Sequence, residues 1–180
     1  MPDYEIVEHC APTLAGMKIG NLFAVYGSYD SVCREIRALN RRLGRFGIRV
    51  IPFRRQKDRT LIYLFRPEGL KQYFDHPETK RFLLQKGYPA SQPERCVALL
   101  AERMRTDEGF PHEVGLFLGY PAKDVEGFIA DSRKGASSCG CWKVYGDSKN
   151  AEETFQKYKK CTDIYRKQML RGRTLEQLIV

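Results

Sequence analysis

Ile48-Arg49-Val50-Ile51-Pro52-Phe53 and Thr60-Leu61-Ile62-Tyr63-Leu64-Phe65 are two runs rich in β-branched and aromatic residues. The residues between them, 54–59, are polar and charged, which is typical of a turn region, so the two runs predict a β-hairpin over 48–65. Pro52 has no backbone N–H to donate to a neighbouring strand. The first run is therefore expected at the edge of the sheet.

On both sides of this hairpin, apolar residues recur at three- and four-residue steps, which predicts amphipathic helices. The clearest pattern covers 29–43 and ends at Gly44. A buried first helix is predicted from Pro12 through Val25, because proline suits the first turn of a helix. Further helices are predicted at 68–74, 77–85, 91–105, from Pro121 to residue 131, and along 155–169.

Two more strands are expected, at 113–118 before the turn Gly119-Tyr120-Pro121, and at 141–145. The sequence thus predicts one α+β domain over 1–180, with a small mixed sheet that contains the hairpin and is covered by several helices. If the two additional strands are parallel neighbours, their connection is a right-handed crossover. The predicted buried residues are Leu14, Met17, Leu22, Ile36, Leu39, Ile62, Leu64, Leu116, Leu118, Phe128, Val144, Tyr158 and Tyr165.

The composition is that of a globular protein: of 180 residues, 42% are hydrophobic and 29% are charged. No run of eighteen apolar residues occurs, and the start of the chain lacks the pattern of a signal peptide, so no membrane partner and no export are expected. The six cysteines are irregularly spaced. We therefore expect reduced thiols and a cytoplasmic location.

Three phrases of the sequence are distinctive in combination. They are Cys10-Ala11-Pro12-Thr13-Leu14-Ala15-Gly16, His112-Glu113-Val114-Gly115-Leu116-Phe117-Leu118-Gly119-Tyr120-Pro121 with Asp124-Val125-Glu126-Gly127-Phe128, and Cys139-Gly140-Cys141-Trp142-Lys143-Val144-Tyr145-Gly146. With these phrases, essentially the whole chain resembles a family of proteins of unknown function from anaerobic, clostridia-type bacteria. The resemblance implies no activity. It also suggests an association with flavodoxin-like genes, and hence with redox or metal metabolism.

The cysteines are the first candidates for chemistry. Cys10 precedes the helix predicted from Pro12, and a helix N-terminus stabilises a thiolate. Cys139 and Cys141 flank Gly140 in a glycine- and serine-rich region, so both thiols can face one ligand. With His112 they form a candidate catalytic or metal site. The alternative is that all of these cysteines are structural, since free cysteine is commonly a buried core residue.

The segment from His112 to Phe128 is a second candidate. It places His112 and Glu113 before a predicted strand and Asp124 after a strand-to-helix turn, which is where ligands bind in α/β units. The N-terminus of the following helix could hold an anion. The alternative is that its glycines only allow close packing of the helix.

Arginine dominates the local charge. The net charge is +9, and ten basic residues but only two acidic ones lie between Arg34 and Arg59. Arg34, Arg37, Arg41 and Arg45 follow one another at helical steps opposite the apolar face of 29–43. This stripe is either a solvated face, a binding surface for nucleic acid or phosphorylated ligands, or a docking surface for an acidic protein such as a flavodoxin-like electron carrier.

These features lead to two principal hypotheses. The first is a cytosolic redox- or metal-associated accessory protein that uses Cys10, His112, Cys139 and Cys141. The second is a non-catalytic module that binds nucleic acid or anions through the arginine stripe. A third hypothesis is an enzyme that acts on a phosphorylated small molecule. The sequence contains no dinucleotide fingerprint and no P-loop, and it identifies no cofactor.

Overall fold

The protein is described by a computed structural model, which covers residues 1–106, 109–130 and 135–180. The helices in these ranges are α1 (Asp3–Leu14), α2 (Tyr29–Leu43), α3 (Pro67–Phe74), α4 (Pro77–Gln85), α5 (Pro93–Thr106), α6 (Val114–Phe117), α7 (Ala122–Ala130) and α8 (Ser148–Leu170). The strands are β1 (Gly20–Tyr26), β2 (Arg49–Gln56), β3 (Arg59–Phe65), β4 (Ser138–Cys139) and β5 (Lys143–Val144). Short 3₁₀ helices lie at Gly44–Phe46 and Glu176–Leu178.

The main sheet has the strand order β1-β3-β2, and all of its pairs are antiparallel. The hairpin predicted over 48–65 is confirmed as β2 and β3. The register between them shifts between Pro52 and Arg54, so the proline lies at an irregularity of an edge strand. This position removes no hydrogen bond from the centre of the sheet.

The central strand β3 is buried on both faces of the sheet. Ile62 and Leu64 belong to the apolar cluster formed with α1, α2 and α8. Tyr63 and Phe65 belong to the cluster formed with α3 to α7. Alternate side chains of a strand point to opposite faces, so the part of a strand that lies between two helical layers must be apolar on both faces, as residues 61–65 are. The fold therefore has three layers, and the predicted α+β class is confirmed.

The predicted first helix is wrong in position. Pro12 lies in the last turn of α1, not in the first turn of a helix. Gly16 follows with a φ of +68°, the amide of Met17 donates to the carbonyl of Pro12, and the amide of Gly16 donates to the carbonyl of Thr13. These two bonds form a Schellman motif, which ends a helix. The segment predicted to continue that helix is instead β1.

Arg66 holds the end of α1 against the sheet. Its guanidinium lies just after β3 and donates to the carbonyl oxygens of Thr13 and Leu14 at 2.7 Å each. Both carbonyls belong to the last turn of the helix, and a cation at a helix C-terminus is favourable because the peptide dipoles point their negative ends there. The charged residue that ends the predicted hairpin thus joins the sheet to the first helix.

The strand predicted at 113–118 is also wrong, because the structure forms the short helix α6 there. A short apolar run that is buried on all sides has no periodicity to distinguish a strand from a helix. Glu113 precedes α6 and is 9% exposed. It accepts hydrogen bonds from Arg103 at 2.9 Å and from Tyr88 at 3.0 Å, which anchors α6 to α5.

The sheet consequently differs from the mixed sheet that was predicted. The strand expected at 141–145 is the two-residue β5, which pairs only with β4 in a separate antiparallel ladder. No parallel pair occurs in the described ranges, so the conditional right-handed crossover does not exist there. The helix predicted from Pro121 to residue 131 corresponds to α7, and its predicted last residue lies outside the described residues. None of the helices in those ranges is long and apolar enough to cross a membrane.

Most of the predicted core is buried. The predicted burial of Met17 is wrong: the residue is 43% exposed, because it follows the glycine that ends α1. Four of the predicted residues are only partly buried, namely Leu22, Phe128, Tyr158 and Tyr165. The others are buried, namely Leu14, Ile36, Leu39, Ile62, Leu64, Leu116, Leu118 and Val144.

We predict that Leu64→Ala lowers the free energy of unfolding by about 2 to 5 kcal/mol, because it leaves a cavity where the central strand is fully enclosed. Leu84→Ala is the matched control, since Leu84 is 57% exposed. Urea unfolding of both variants provides the measurement. Equal losses in the two variants would contradict the burial of β3 on this face.

Candidate functional site

Asp124 organises the segment that carries Cys139 and Cys141. Its Oδ2 accepts a hydrogen bond from Nε1 of Trp142 at 2.7 Å. Its Oδ1 accepts from the backbone amides of Tyr145 and Gly146, each at 2.8 Å. Asp124 is only 3% exposed, so these three donors replace the water that its carboxylate loses on burial.

The position of Asp124 in the first turn of α7 adds to this anchor. Aligned peptide dipoles make the N-terminus of a helix favourable for a negative charge. Asp124 supplies that charge from within the protein. The expectation that it follows a strand in an α/β unit is wrong, because 113–118 is helical.

Gly140 allows the β4–β5 turn to lie against α8. A Cβ atom on Gly140 would lie 2.3 Å from the ring of Phe155, a distance that no side chain tolerates. Next to it, Trp142 contacts Phe155 edge to face at 4.6 Å and stacks on Tyr120 at 4.7 Å, measured between ring centroids. Close approach at Gly140 and packing of Trp142 together fix the intervening Cys141.

Lys18 lies beside this turn. Its Nζ is 5.2 Å from the ring centroid of Tyr120 and 5.9 Å from that of Tyr158. The hydroxyl of Tyr120 donates to the backbone carbonyl of Cys141 at 3.1 Å. A cation over aromatic faces is stabilised by the ring quadrupoles. These residues form what we call the Lys18–Cys141 cluster, comprising Lys18, Tyr120, Cys141 and Tyr158.

Burial and charge act against each other in this cluster. Burial lowers the pKa of the Lys18 ammonium, and the neighbouring Cys141 and Cys10 act in the opposite direction. Burial raises the pKa of the Cys141 thiol, while attraction to Lys18 lowers it. Burial and the nearby Cys141 raise the pKa of Tyr158 to about 12, so this phenol stays protonated at neutral pH. Burial is the larger effect on Cys141, so the pKa of its thiol lies above the ordinary value, and the cation of Lys18 limits that rise.

Cys141 also opens onto a cavity of about 370 Å³, which we call the Cys141 cavity. Its walls include Lys18, Tyr158, His9 and Lys159. Cys141 is exposed. A small molecule can thus reach the thiol while it contacts the cationic side of the cluster.

The structure does not support the predicted role of Cys10. This residue is 0% exposed and lies in the third turn of α1, because the helix begins at Asp3 and not after Pro12. Burial raises the pKa of its thiol well above the ordinary value. A buried, protonated thiol is a poor nucleophile. Cys10 is a core residue in the apolar cluster formed by α1, α2 and α8.

His112 does not join the cysteines either. It is exposed and packs between Phe110 and Phe128, in a different cavity from Cys141. Within residues 1–106, 109–130 and 135–180, no group of three or more histidine, cysteine, aspartate or glutamate side chains could hold a metal ion. The shared metal site predicted from Cys10, His112, Cys139 and Cys141 is therefore not formed in this structure.

Cys139 remains close to Cys141 in sequence and is likewise exposed. It pairs with Lys143 in the β4–β5 ladder, two residues before Cys141. Of the cysteines on helices α2, α5 and α8, Cys96 and Cys161 are buried, while Cys33 is only partly buried. The accessible thiols are thus those on the β4–β5 turn.

The sequence matches a known protein family. The family described as "Protein of unknown function (DUF3793)" matches residues 6–179. The chain belongs to the DUF3793 family. The family predicted from the three sequence phrases is thereby confirmed as one of unknown function. Neither the curated proteins nor the solved structures gave a match.

The arginine stripe of this DUF3793 chain lies on α2 and on the 3₁₀ helix that follows it, which carries Arg45. Arg34, Arg37, Arg41 and Arg45 are all exposed. Within the described ranges, none of the four forms an ion pair. Arg42 on the same helix is different, because it pairs with Asp3 at 2.7 Å and with Glu176 at 2.6 Å. Arg42 is thus paired with carboxylates of other elements, whereas the arginines of the stripe are exposed and form no ion pair in the described ranges.

Sequence reasoning missed Lys18, Tyr120 and Tyr158 as site residues. Lys18 had a weak signal, because it is the one charge in the apolar stretch 14–25. Tyr120 and Tyr158 had none, since their roles depend on contacts between residues far apart in the chain. Asp124 was selected for a ligand site but instead holds Trp142.

We predict that Asp124→Asn lowers the free energy of unfolding by about 1.5 kcal/mol or more, because an amide replaces a charged acceptor of three hydrogen bonds. The chain has a single tryptophan, so its emission reports on Trp142 directly. Loss of the bond to Asp124 should shift this emission to longer wavelength.

Glu126→Gln is the matched control for Asp124→Asn. It lies on the same helix, and the contact of its carboxylate in the part of the chain that the structure describes is a 3.4 Å ion pair with Arg81 near the surface. Its unfolding free energy and tryptophan emission should stay close to those of the wild type. If both variants behave alike, Asp124 does not anchor this segment.

Proposed function

We propose that the protein carries out thiol–disulfide chemistry at Cys141, with Cys139 as the second thiol, as a redox accessory protein of the cytosol. The observation that carries this proposal is the Lys18–Cys141 cluster, in which an exposed thiol lies beside a partly buried lysine. Six free cysteines fit the reducing interior of a cell, which also fits the anaerobic source suggested by the resemblance.

The distribution of the cysteines supports this choice. Of the six, all of which lie in the described ranges, Cys139 and Cys141 are the exposed ones. Burial raises the pKa of the thiols of Cys10, Cys96 and Cys161 and also that of Cys141, so exposure is what distinguishes Cys141 from these three. Reactive cysteines are accessible and lie near a positive charge, whereas structural ones are buried.

Lys18 supplies the charge that such a thiol needs. Its ammonium attracts the thiolate of Cys141 more strongly than the neutral thiol, which favours ionisation. The aromatic rings of Tyr120 and Tyr158 keep the ammonium next to the turn. Lys18 is therefore a positioning residue, whose charge favours the ionised form of the Cys141 thiol.

The reaction follows from these two thiols. The thiolate of Cys141 attacks one sulfur of a small disulfide, such as oxidised glutathione, and releases the other half as a thiolate. The thiolate of Cys139 then attacks Sγ of Cys141 and releases the second half. Two electrons pass from the cysteine pair to the disulfide, and only Gly140 separates the two cysteines in the sequence.

We predict that oxidised glutathione reacts first at Cys141 in the native protein, because its thiolate has a cationic neighbour. Peptide mass spectrometry after short exposure should find a Cys139–Cys141 disulfide in the wild type. Cys139→Ser should accumulate a glutathione adduct at Cys141, and Cys141→Ser should show neither product at this turn.

Cys33→Ser is the matched control for these variants, because Cys33 is partly buried and lies on a different element. It should react like the wild type. If Cys33 or the buried cysteines were modified as fast as Cys141, thiol chemistry at this turn would be ruled out as the function.

The exposed arginine stripe supports a second candidate function, which is binding of nucleic acid. The specific observation is that Arg34, Arg37, Arg41 and Arg45 are exposed and have no ion pair in the described ranges, whereas Arg42 has two. Open arginines can neutralise phosphates and release their counterions. An acidic protein, such as a flavodoxin-like electron carrier, would contact the same charges.

We predict that single-stranded oligonucleotides bind at 50 mM salt and that the affinity falls steeply, by at least about tenfold, at 200 mM salt because of counterion release. Arg37→Glu with Arg41→Glu should abolish the binding, whereas Lys149→Glu with Lys157→Glu on α8 should weaken it little. Filter binding provides the measurement. No binding at low salt would exclude nucleic acid and leave an acidic protein as the candidate partner.

A further inference from the structure

The main sheet has two edge strands, and the outer edge of β2 is blocked. Nδ2 of Asn40 donates to the carbonyl of Val50 at 2.7 Å, and Oδ1 of Asn40 accepts from the amide of Val50 at 2.9 Å. Pro52, two residues further along, has no N–H to offer. Proteins prevent edge-to-edge pairing of sheets with charges, prolines and irregular register, and β2 has all three.

The other edge strand, β1, has none of these features. It contains neither a charged residue nor a proline over Gly20–Tyr26. Its register with β3 is regular from end to end. The strand order β1-β3-β2 leaves one side of β1 without a neighbouring strand. An uncharged, regular and unpaired edge is a template on which another strand can add.

The ends of the ladder between β1 and β3 show which backbone groups point outward. At one end, the amide of Gly27 donates to the carbonyl of Asp58 at 2.8 Å. At the other end, the amide of Arg66 donates to the carbonyl of Ile19 at 2.8 Å. Both pairs continue the register of the two strands. Because bonded and non-bonded pairs alternate along an antiparallel ladder, the odd-numbered residues of β1 bond to β3.

The even-numbered residues Leu22, Ala24 and Tyr26 therefore turn their N–H and C=O groups away from β3. In the part of the chain that the structure describes, no backbone group bonds to them on that side. Their side chains share the face covered by α3 to α7. At one end of this row Tyr26 is 73% exposed. At the other end Leu22 lines a cavity of about 350 Å³, with Phe128 and Trp142 among its walls.

We propose that two copies of this chain associate by antiparallel pairing of their β1 strands, which joins the two main sheets into one. Ala24 then lies opposite the partner's Ala24, and Leu22 lies opposite the partner's Tyr26. The outward N–H and C=O groups of these residues all gain partners. A two-fold axis relates the two chains, so the association closes at the dimer.

The spacing of Tyr26 and Leu22 is the reason for choosing a second copy over an unrelated strand. The two residues lie on opposite sides of Ala24, each two positions from it. Symmetric pairing therefore brings each exposed Tyr26 ring onto the partner's Leu22, beside the apolar cavity. Aromatic and aliphatic side chains that face each other across strands stabilise the pair. Although each chain has a net charge of +9, no like charges meet between the two β1 strands.

Sedimentation equilibrium of the full chain, with reductant present, tests this association. The wild type should approach the mass of two chains as its concentration rises. Tyr26→Lys should raise the dissociation constant of the dimer at least about tenfold, because it removes the ring and places like charges at the interface. Tyr4→Lys is the matched control and should change nothing, since this tyrosine is 51% exposed but lies on α1.

Ala24→Pro tests the backbone pairing. It removes an outward N–H and leaves the bonds between β1 and β3 in place, so it should also weaken the dimer at least about tenfold. Circular dichroism checks the folding of each variant. Because Tyr26 is exposed, Tyr26→Lys keeps the test valid if Ala24→Pro unfolds.

Hydrogen exchange, followed residue by residue with NMR, tests the register of the pairing. The amides of Leu22, Ala24 and Tyr26 should exchange more slowly as the protein concentration rises. The amides of Phe23 and Val25 bond to β3 and should be slow at every concentration, so they are the control within the same strand.

Three results would overturn the proposal. One is a wild type that stays monomeric up to about 1 mM, which would leave the edge of β1 to a strand of another protein. Another is a dimer whose dissociation constant is unchanged in Tyr26→Lys, which would assign the contact to a different surface. The third is a dimer that is lost after nuclease treatment or in Arg37→Glu with Arg41→Glu, because nucleic acid bound to the arginine stripe would then bridge the chains.

Discussion

Burial of β3 on both of its faces is the constraint on which the rest of the fold depends. A central strand that is apolar at each of positions 61–65 needs a cover on each side of the sheet. The chain supplies α1, α2 and α8 for one side and α3 to α7 for the other. Arg66, at the end of β3, binds the end of α1 and so joins a layer directly to the sheet.

The candidate site lies where elements of both layers meet. Lys18 follows α1, and Tyr158 belongs to α8, both in one layer. Tyr120 lies between α6 and α7 in the other layer, and Cys141 lies on the turn that connects α7 to α8. Asp124 fixes that turn by binding Trp142 and two backbone amides. The buried carboxylate of Asp124, in the first turn of α7, therefore holds the exposed thiol of Cys141 beside Lys18.

Local patterns predicted the hairpin and α2, because both have a clear periodicity and clear ends. They failed at Pro12, where a proline can occupy either the first turn of a helix or a later one, and only Gly16 and its Schellman bonds decide the matter. They failed again at 113–118, where burial on all sides removes the periodicity. For the site, the sequence pointed to Cys141 and Asp124. It could not give Lys18 or Tyr158, because the contacts that define their roles join residues more than a hundred positions apart.

The central claim is that Lys18 and Cys141 act as one site. Peptide mass spectrometry can follow the alkylation rate of Cys141 as a function of pH in the wild type, in Lys18→Met and in Lys159→Met, whose exposed lysine lines the same cavity. Attraction to Lys18 lowers the pKa of the Cys141 thiol, so its removal should move the rate profile to higher pH and slow alkylation at neutral pH. The Lys159→Met profile should stay with that of the wild type. A Lys18→Met profile that coincides with the wild-type profile would contradict the claim.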